Sequence, residues 1–115
     1  MKESQYADIH YVRLIFPSYI KGIVDKPTDR TEAIKTLVEK AGGKLVTAYM
    51  TTGTNDVVLI TELPDGSDAV AVGMAAAASG AVSKIETVRA WTLGEFKGIA
   101  EKAARVATSY VPPGR

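Results

Sequence analysis

The sequence predicts an α+β domain: a four-stranded antiparallel sheet with helices against one face. Three observations lead there. Four short runs carry the β-branched, aromatic or alternating pattern of strands, and three longer ones repeat apolar residues at helical spacing. The two kinds occur in the order β-α-β-β-α-β, with one helix after the last strand. Finally, the first and third strand runs are continuously apolar while the second and fourth alternate, as expected for central and edge strands.

Residues His10 to Phe16, HYVRLIF, form the first strand, and Pro17 closes it because proline removes a backbone donor. A loop containing Gly22 and Pro27 leads to Thr31, placed to cap a helix over EAIKTLVEKA, where Ile34, Leu37, Val38 and Ala41 recur on one side. Gly42 and Gly43 end it, since glycine tolerates the left-handed backbone after a helix. The second strand, KLVTAYMTT, sets Leu45, Thr47, Tyr49 and Thr51 against Val46, Ala48 and Met50. Gly53, Thr54 and Asn55 reverse the chain into Val57 to Thr61, whose VVLI implies burial on both faces.

After LPDGSD, where Ser67 or Asp68 can cap, comes the almost uncharged helix AVAVGMAAAAS, which is apolar all round and so requires cover all round. Gly80 stops it. The fourth strand, Val82 to Trp91, sets Ile85, Thr87, Arg89 and Trp91 against Lys84, Glu86, Val88 and Ala90. An amphipathic helix from about Leu93 to Thr108 precedes the tail YVPPGR. This order is the ferredoxin-like βαββαβ plan with an extra C-terminal helix. The domain spans residues 9–108, between flexible segments at 1–8 and 109–115.

A chain of 115 residues is long enough for one core and too short for two ordinary domains. Its 14 basic and 13 acidic residues nearly cancel, so no summed field favours nucleic acid or an anionic membrane. With no cysteine and one histidine, thiolate chemistry and histidine-rich metal sites are excluded within one chain, and no metal or cofactor is implied. The N-terminus lacks the apolar core of a secretory signal, and Ala69 to Val82 is shorter than the roughly 20 residues that span a bilayer. A cytoplasmic location is the expectation.

Helices cover one face of such a sheet. By the alternation, Ile15, Leu45, Tyr49, Ile85 and Trp91 lie on the other, where each large apolar side chain buried contributes about 1.5 to 3 kcal/mol. A second copy packing sheet to sheet about a two-fold axis is the simplest cover, so a homodimer is expected. The Ala-rich helix allows a larger homo-oligomer.

From YVRL at 11–14, through GTND at 53–56 and VVLITELPD at 57–65, to IETVRAWTLGEF at 85–96, the chain resembles the GYD domain family of small bacterial and archaeal proteins, over about nine tenths of its length. The family's Gly-Tyr-Asp pattern corresponds here to Gly53, Asn55 and Asp56, with Asn in place of Tyr. The resemblance implies a dimeric α/β barrel. It implies no common reaction and transfers no catalytic residue.

Two residues are catalytic candidates. Asp56 either accepts hydrogen bonds from turn amides and fixes the hairpin register, or acts as an acid or base at a pocket rim; the frequency of Asp in turns favours the first. His10, the one side chain ordinarily titrating near neutrality, is either an exposed or edge residue with no chemical role or a general base between sheet and helices; with no partner triad visible, the first reading is favoured. Arg13, Tyr49, Arg89 and Trp91 are ligand-binding candidates, since by the alternation they share a face. They either clasp a small carboxylate or make structural contacts, an inter-subunit ion pair with Glu62 or Glu86 or the stacking of Arg on an aromatic ring; a sheet-face dimer favours the contacts.

No GxGxxG or GxxxxGK[ST] motif occurs, so a nucleotide site has no support. Asp65 and Asp68 suit capping better than metal binding, and Ala and Gly in the third-strand-to-fourth-strand helix suit close packing. Three functions remain open: a small-molecule-binding or regulatory barrel, a cofactor-independent isomerase- or monooxygenase-like enzyme, and a structural assembly subunit. Fold analogy alone decides among them poorly.

Overall fold

The computed structural model describes residues 6–114. In chain order the elements are β1 (Tyr6–Leu14), α1 (Phe16–Asp25), α2 (Thr31–Lys40), β2 (Lys44–Met50), β3 (Val57–Leu63), α3 (Gly66–Ala78), β4 (Val82–Ala90) and α4 (Leu93–Ala107). The strands form one sheet in the order β2-β3-β1-β4, antiparallel throughout. This is the ferredoxin-like arrangement, and the two continuously apolar strands are the central ones. β1 starts at Tyr6, which pairs with Leu63, so it takes in residues expected to precede the domain. The rest of that expected flexible segment, residues 1–5, lies outside the described residues, as does Arg115 of the tail.

Pro17 does not end a strand; it opens a helix. β1 already stops at Leu14, and Pro17 sits in the first turn of α1, where the missing N–H has no intrahelical partner to lose. The segment read as a loop around Gly22 is therefore helical. Caps also differ in detail. Thr31 donates instead of capping: its N–H and hydroxyl both bond Asp29 Oδ1, at 2.9 and 2.6 Å. Asp65 caps α3, accepting from Ser67 N at 2.7 Å, while Asp68 Oδ2 accepts from Asp65 N at 3.2 Å.

The face of β3 that carries Val57, Leu59, Thr61 and Leu63 is buried beneath the helices, and Asp8, His10, Val12 and Leu14 of β1 lie on the same side. Leu63, Val38, Ala69 and Val72 close the core at one end; Val12, Leu14, Val57 and Leu59 form its other half. A bulge in β2 overturns the expected alternation: Leu45 pairs with Thr61 and Thr47 with Ile60, so Val46 is an extra residue that reverses the parity. Leu45 thus packs against the core, and Tyr49, four residues on, faces away. Ile85 is likewise a core residue, since it pairs with Val12 and meets Gly73 of α3.

The sheet's other face carries Ile9, Tyr11, Val58, Ile60 and Val88, paired in register across β4, β1 and β3. No helix among the described residues roofs it. α4 holds no buried residue, and Leu93 is 93% exposed at its start. With this arm, the radius of gyration is 18.3 Å against about 13 Å for a compact domain of this length. α3 is not covered all round either: Ala69, Val72 and Gly73 are buried, while Val70 and Met74 face solvent.

Candidate ligand cleft

α2 lies over β2, and α3 lies over β4 and β1. Between the two helices, at the Val12 end of the sheet, the small side chains Ala33, Ala75 and Ala76 leave a cleft unfilled. Its inner lobe, about 310 Å³, has a floor of Val12, Leu14, Val57 and Leu59. An outer lobe of about 290 Å³ opens beside α1, between Ile20, Ile23, Ala48 and Met50. Arg30, Ile34 and Val57 line both lobes, which therefore adjoin. Its walls are apolar with few polar groups, the usual character of small-molecule sites, and each lobe approaches their usual lower size.

Beyond the cleft floor, towards the closed end of the core, lies a buried polar layer. His10 is 0% exposed, its Nδ1 2.9 Å from Thr87 Oγ1 and its Nε2 2.9 Å from Thr61 Oγ1. The two hydroxyls can each donate or accept, so a neutral ring is satisfied on both sides. Burial lowers the His10 pKa below its ordinary value, a shift that the nearby Asp8 carboxylate opposes in part. Asp8 is 2% exposed; Arg89 Nε reaches its Oδ1 at 3.4 Å, and its Oδ2 has no hydrogen-bond partner. His10 is therefore neither the exposed nor the edge residue expected, since it lies buried on a central strand, and it is not open to a substrate in this structure.

Asp56 is held in the backbone lattice. Its Oδ2 accepts from Leu14 N at 2.8 Å, its own N–H donates to Val12 O, and its carbonyl accepts from Thr51 N. The carboxylate acts as a substitute ladder acceptor beside the register shift between Arg13 and Leu14. It fastens β1 to the start of β3, and Asp56 does not line the cleft. In the turn, Gly53 has φ +97, while Asn55 has no positive φ and offers its carbonyl to the Thr51 hydroxyl at 2.8 Å. The reversal thus needs only its glycine to be left-handed.

The four ligand-binding candidates do not come together. Arg89 pairs with Asp8 on the helix-covered face, whereas Arg13 is exposed and donates from Nε to Thr54 O at 3.0 Å. The alternation of β1 and its register with β4 put the two arginines on opposite faces. Tyr49 borders the outer lobe at the sheet edge, but its pairing with Val58 turns it towards the open face, 59% exposed, on the opposite edge strand from the one that leads to Trp91, which is also exposed.

A model of the GYD domain matches residues 16–100, well over half of the chain. The chain belongs to the GYD domain family. The matched span takes in the GTND turn, β3 and the IETVRAWTLGEF run of this GYD protein, and leaves YVRL outside it. Neither the comparison with curated proteins nor that with solved structures gives a match. Among the described residues no cluster of three or more His, Cys, Asp or Glu could hold a metal ion, and no helix is long and apolar enough to cross a membrane.

Arg30 is the residue that sequence reasoning passed over. It precedes α2 in the polar run PTDRTE, which reads as an ordinary loop; only the packing of α2 against the sheet brings it to the cleft. Asp8 did have a signal: ADIHY sets Asp and His two apart in a strand, and hence on one face.

Proposed function

We propose that this GYD protein is a homo-oligomeric small-molecule-binding protein whose ligand occupies the two-lobed cleft between sheet and helices. The observation that supports this most is the apolar inner lobe, floored by the central strands and left open by alanines where larger side chains would have filled the core. Binding is favoured over catalysis because neither His10 nor Asp56 lines the cleft; the first is sealed between threonines and the second is bonded to backbone. The uncovered sheet face and the projecting α4 favour assembly with further copies, since Val88 and the half-buried Ile9, Tyr11, Val58 and Ile60 on the one, and Leu93, Phe96, Ile99 and Val106 on the other, would otherwise remain wholly or partly hydrated.

The test is a titration of the full chain with a small apolar fluorophore, 1-anilinonaphthalene-8-sulfonate, followed by amide chemical shifts. Shifts concentrated at Ile34, Val57, Leu59 and Ala76 are expected. Shifts confined to Ile9, Tyr11 and Ile60 on the open sheet face, or none at all, would overturn the reading.

A further inference from the structure

Resting on the cleft reading above, we infer that the ligand is an apolar carboxylic acid, its carboxylate paired with Arg30 and its body in the inner lobe. Arg30 is the one charged side chain among the described residues that line that lobe. No hydrogen bond or ion pair engages its guanidinium among those residues. Arg30 is solvent-exposed at the mouth of the lobe, and its planar fork matches the two oxygens of a carboxylate.

The neighbouring groups fix which lobe the body takes. Asp29 lines the outer lobe only, and its hydrogen bonds from Thr31 lower its pKa, so it is a standing negative charge there. An anion is repelled on that side and accepted from the inner one. Ser79, the inner lobe's other polar side chain, is already committed: its hydroxyl donates to Ala76 O at 2.6 Å and accepts from Ala81 N at 3.2 Å. It offers no competing specificity, so polar recognition falls to Arg30 and the remaining contacts are apolar.

The experiment compares decanoate with decanol, equal in chain length and different in charge, by isothermal titration of the full chain at about pH 8, where the acid is ionised. The wild type should bind decanoate about two- to fivefold tighter. In Arg30→Gln that preference should vanish with decanol affinity unchanged, and in Ala76→Phe, which fills the inner lobe, both ligands should weaken; circular dichroism checks that each variant is folded. Equal wild-type affinities would overturn the carboxylate assignment and leave the cleft reading standing. A preference that survives Arg30→Gln would overturn it too, and binding of neither probe would bring down both.

Discussion

Replacing His10 with Gln should change how stability depends on pH as well as how large it is. The buried ring has its pKa lowered, because burial outweighs the attraction of Asp8. In the unfolded chain the ring takes up a proton as pH falls through 6.5, while the folded chain resists until its lower pKa is reached. The stability that His10 contributes is therefore fully present above pH 6.5 and lost as pH falls from there through the folded-state value. One proton is worth about 1.36 kcal/mol per pH unit, so the loss between about pH 7.5 and 5.5 is at most about 1.4 kcal/mol. His10→Gln removes this titration, and at neutral pH it costs about 1 to 3 kcal/mol if the Thr61 hydroxyl, at 0% exposure, loses its partner. Urea unfolding of both proteins at the two pH values and one protein concentration is the assay. The wild type's advantage should shrink at the lower pH. An advantage that holds constant on acidification would refute the burial argument, and one that grows would show that Asp8 dominates.

Three further predictions concern the backbone. A Cβ on Gly43 would collide with the Glu62 carbonyl and the Leu63 side chain, so Gly43→Ala should cost about 1 to 3 kcal/mol in urea unfolding. Gly22→Ala, inside α1 with open space around it, should be neutral or stabilise by up to about 1 kcal/mol. Asp56→Ala leaves Leu14 N–H without its 2.8 Å acceptor and should cost about 1 to 3 kcal/mol, while Asp56→Asn, which keeps an oxygen there, should cost less; hydrogen exchange at Leu14 should accelerate in the first and much less in the second.

The strand order was legible because it follows from local apolar pattern: continuous runs in β1 and β3, alternation in β2 and β4. Which side chain faces which way was not fully legible, since the bulge at Val46 is set by pairing with β3 and leaves no mark in KLVTAYM. Leu45 was misplaced by that one residue. Ile85 and Arg89 were placed on the wrong face because alternation within β4 gives two sets without saying which meets the core; the pairing Val12 to Ile85 decides it. α1 was missed because Pro17 has two meanings, strand breaker and first-turn helix residue, and the preceding strand was drawn two residues too long. The cleft had only an indirect sign in the alanines of α3. They were read as close packing, which fits Gly73 against Ile85, whereas Ala75 and Ala76 leave space.

The central claim is that another copy of the chain covers the Ile9–Ile60 sheet face and the exposed arm α4. Sedimentation equilibrium at low micromolar concentration tests it most directly. A mass of two or more times 12.2 kDa is the predicted result, and a monomer of 12.2 kDa would contradict it.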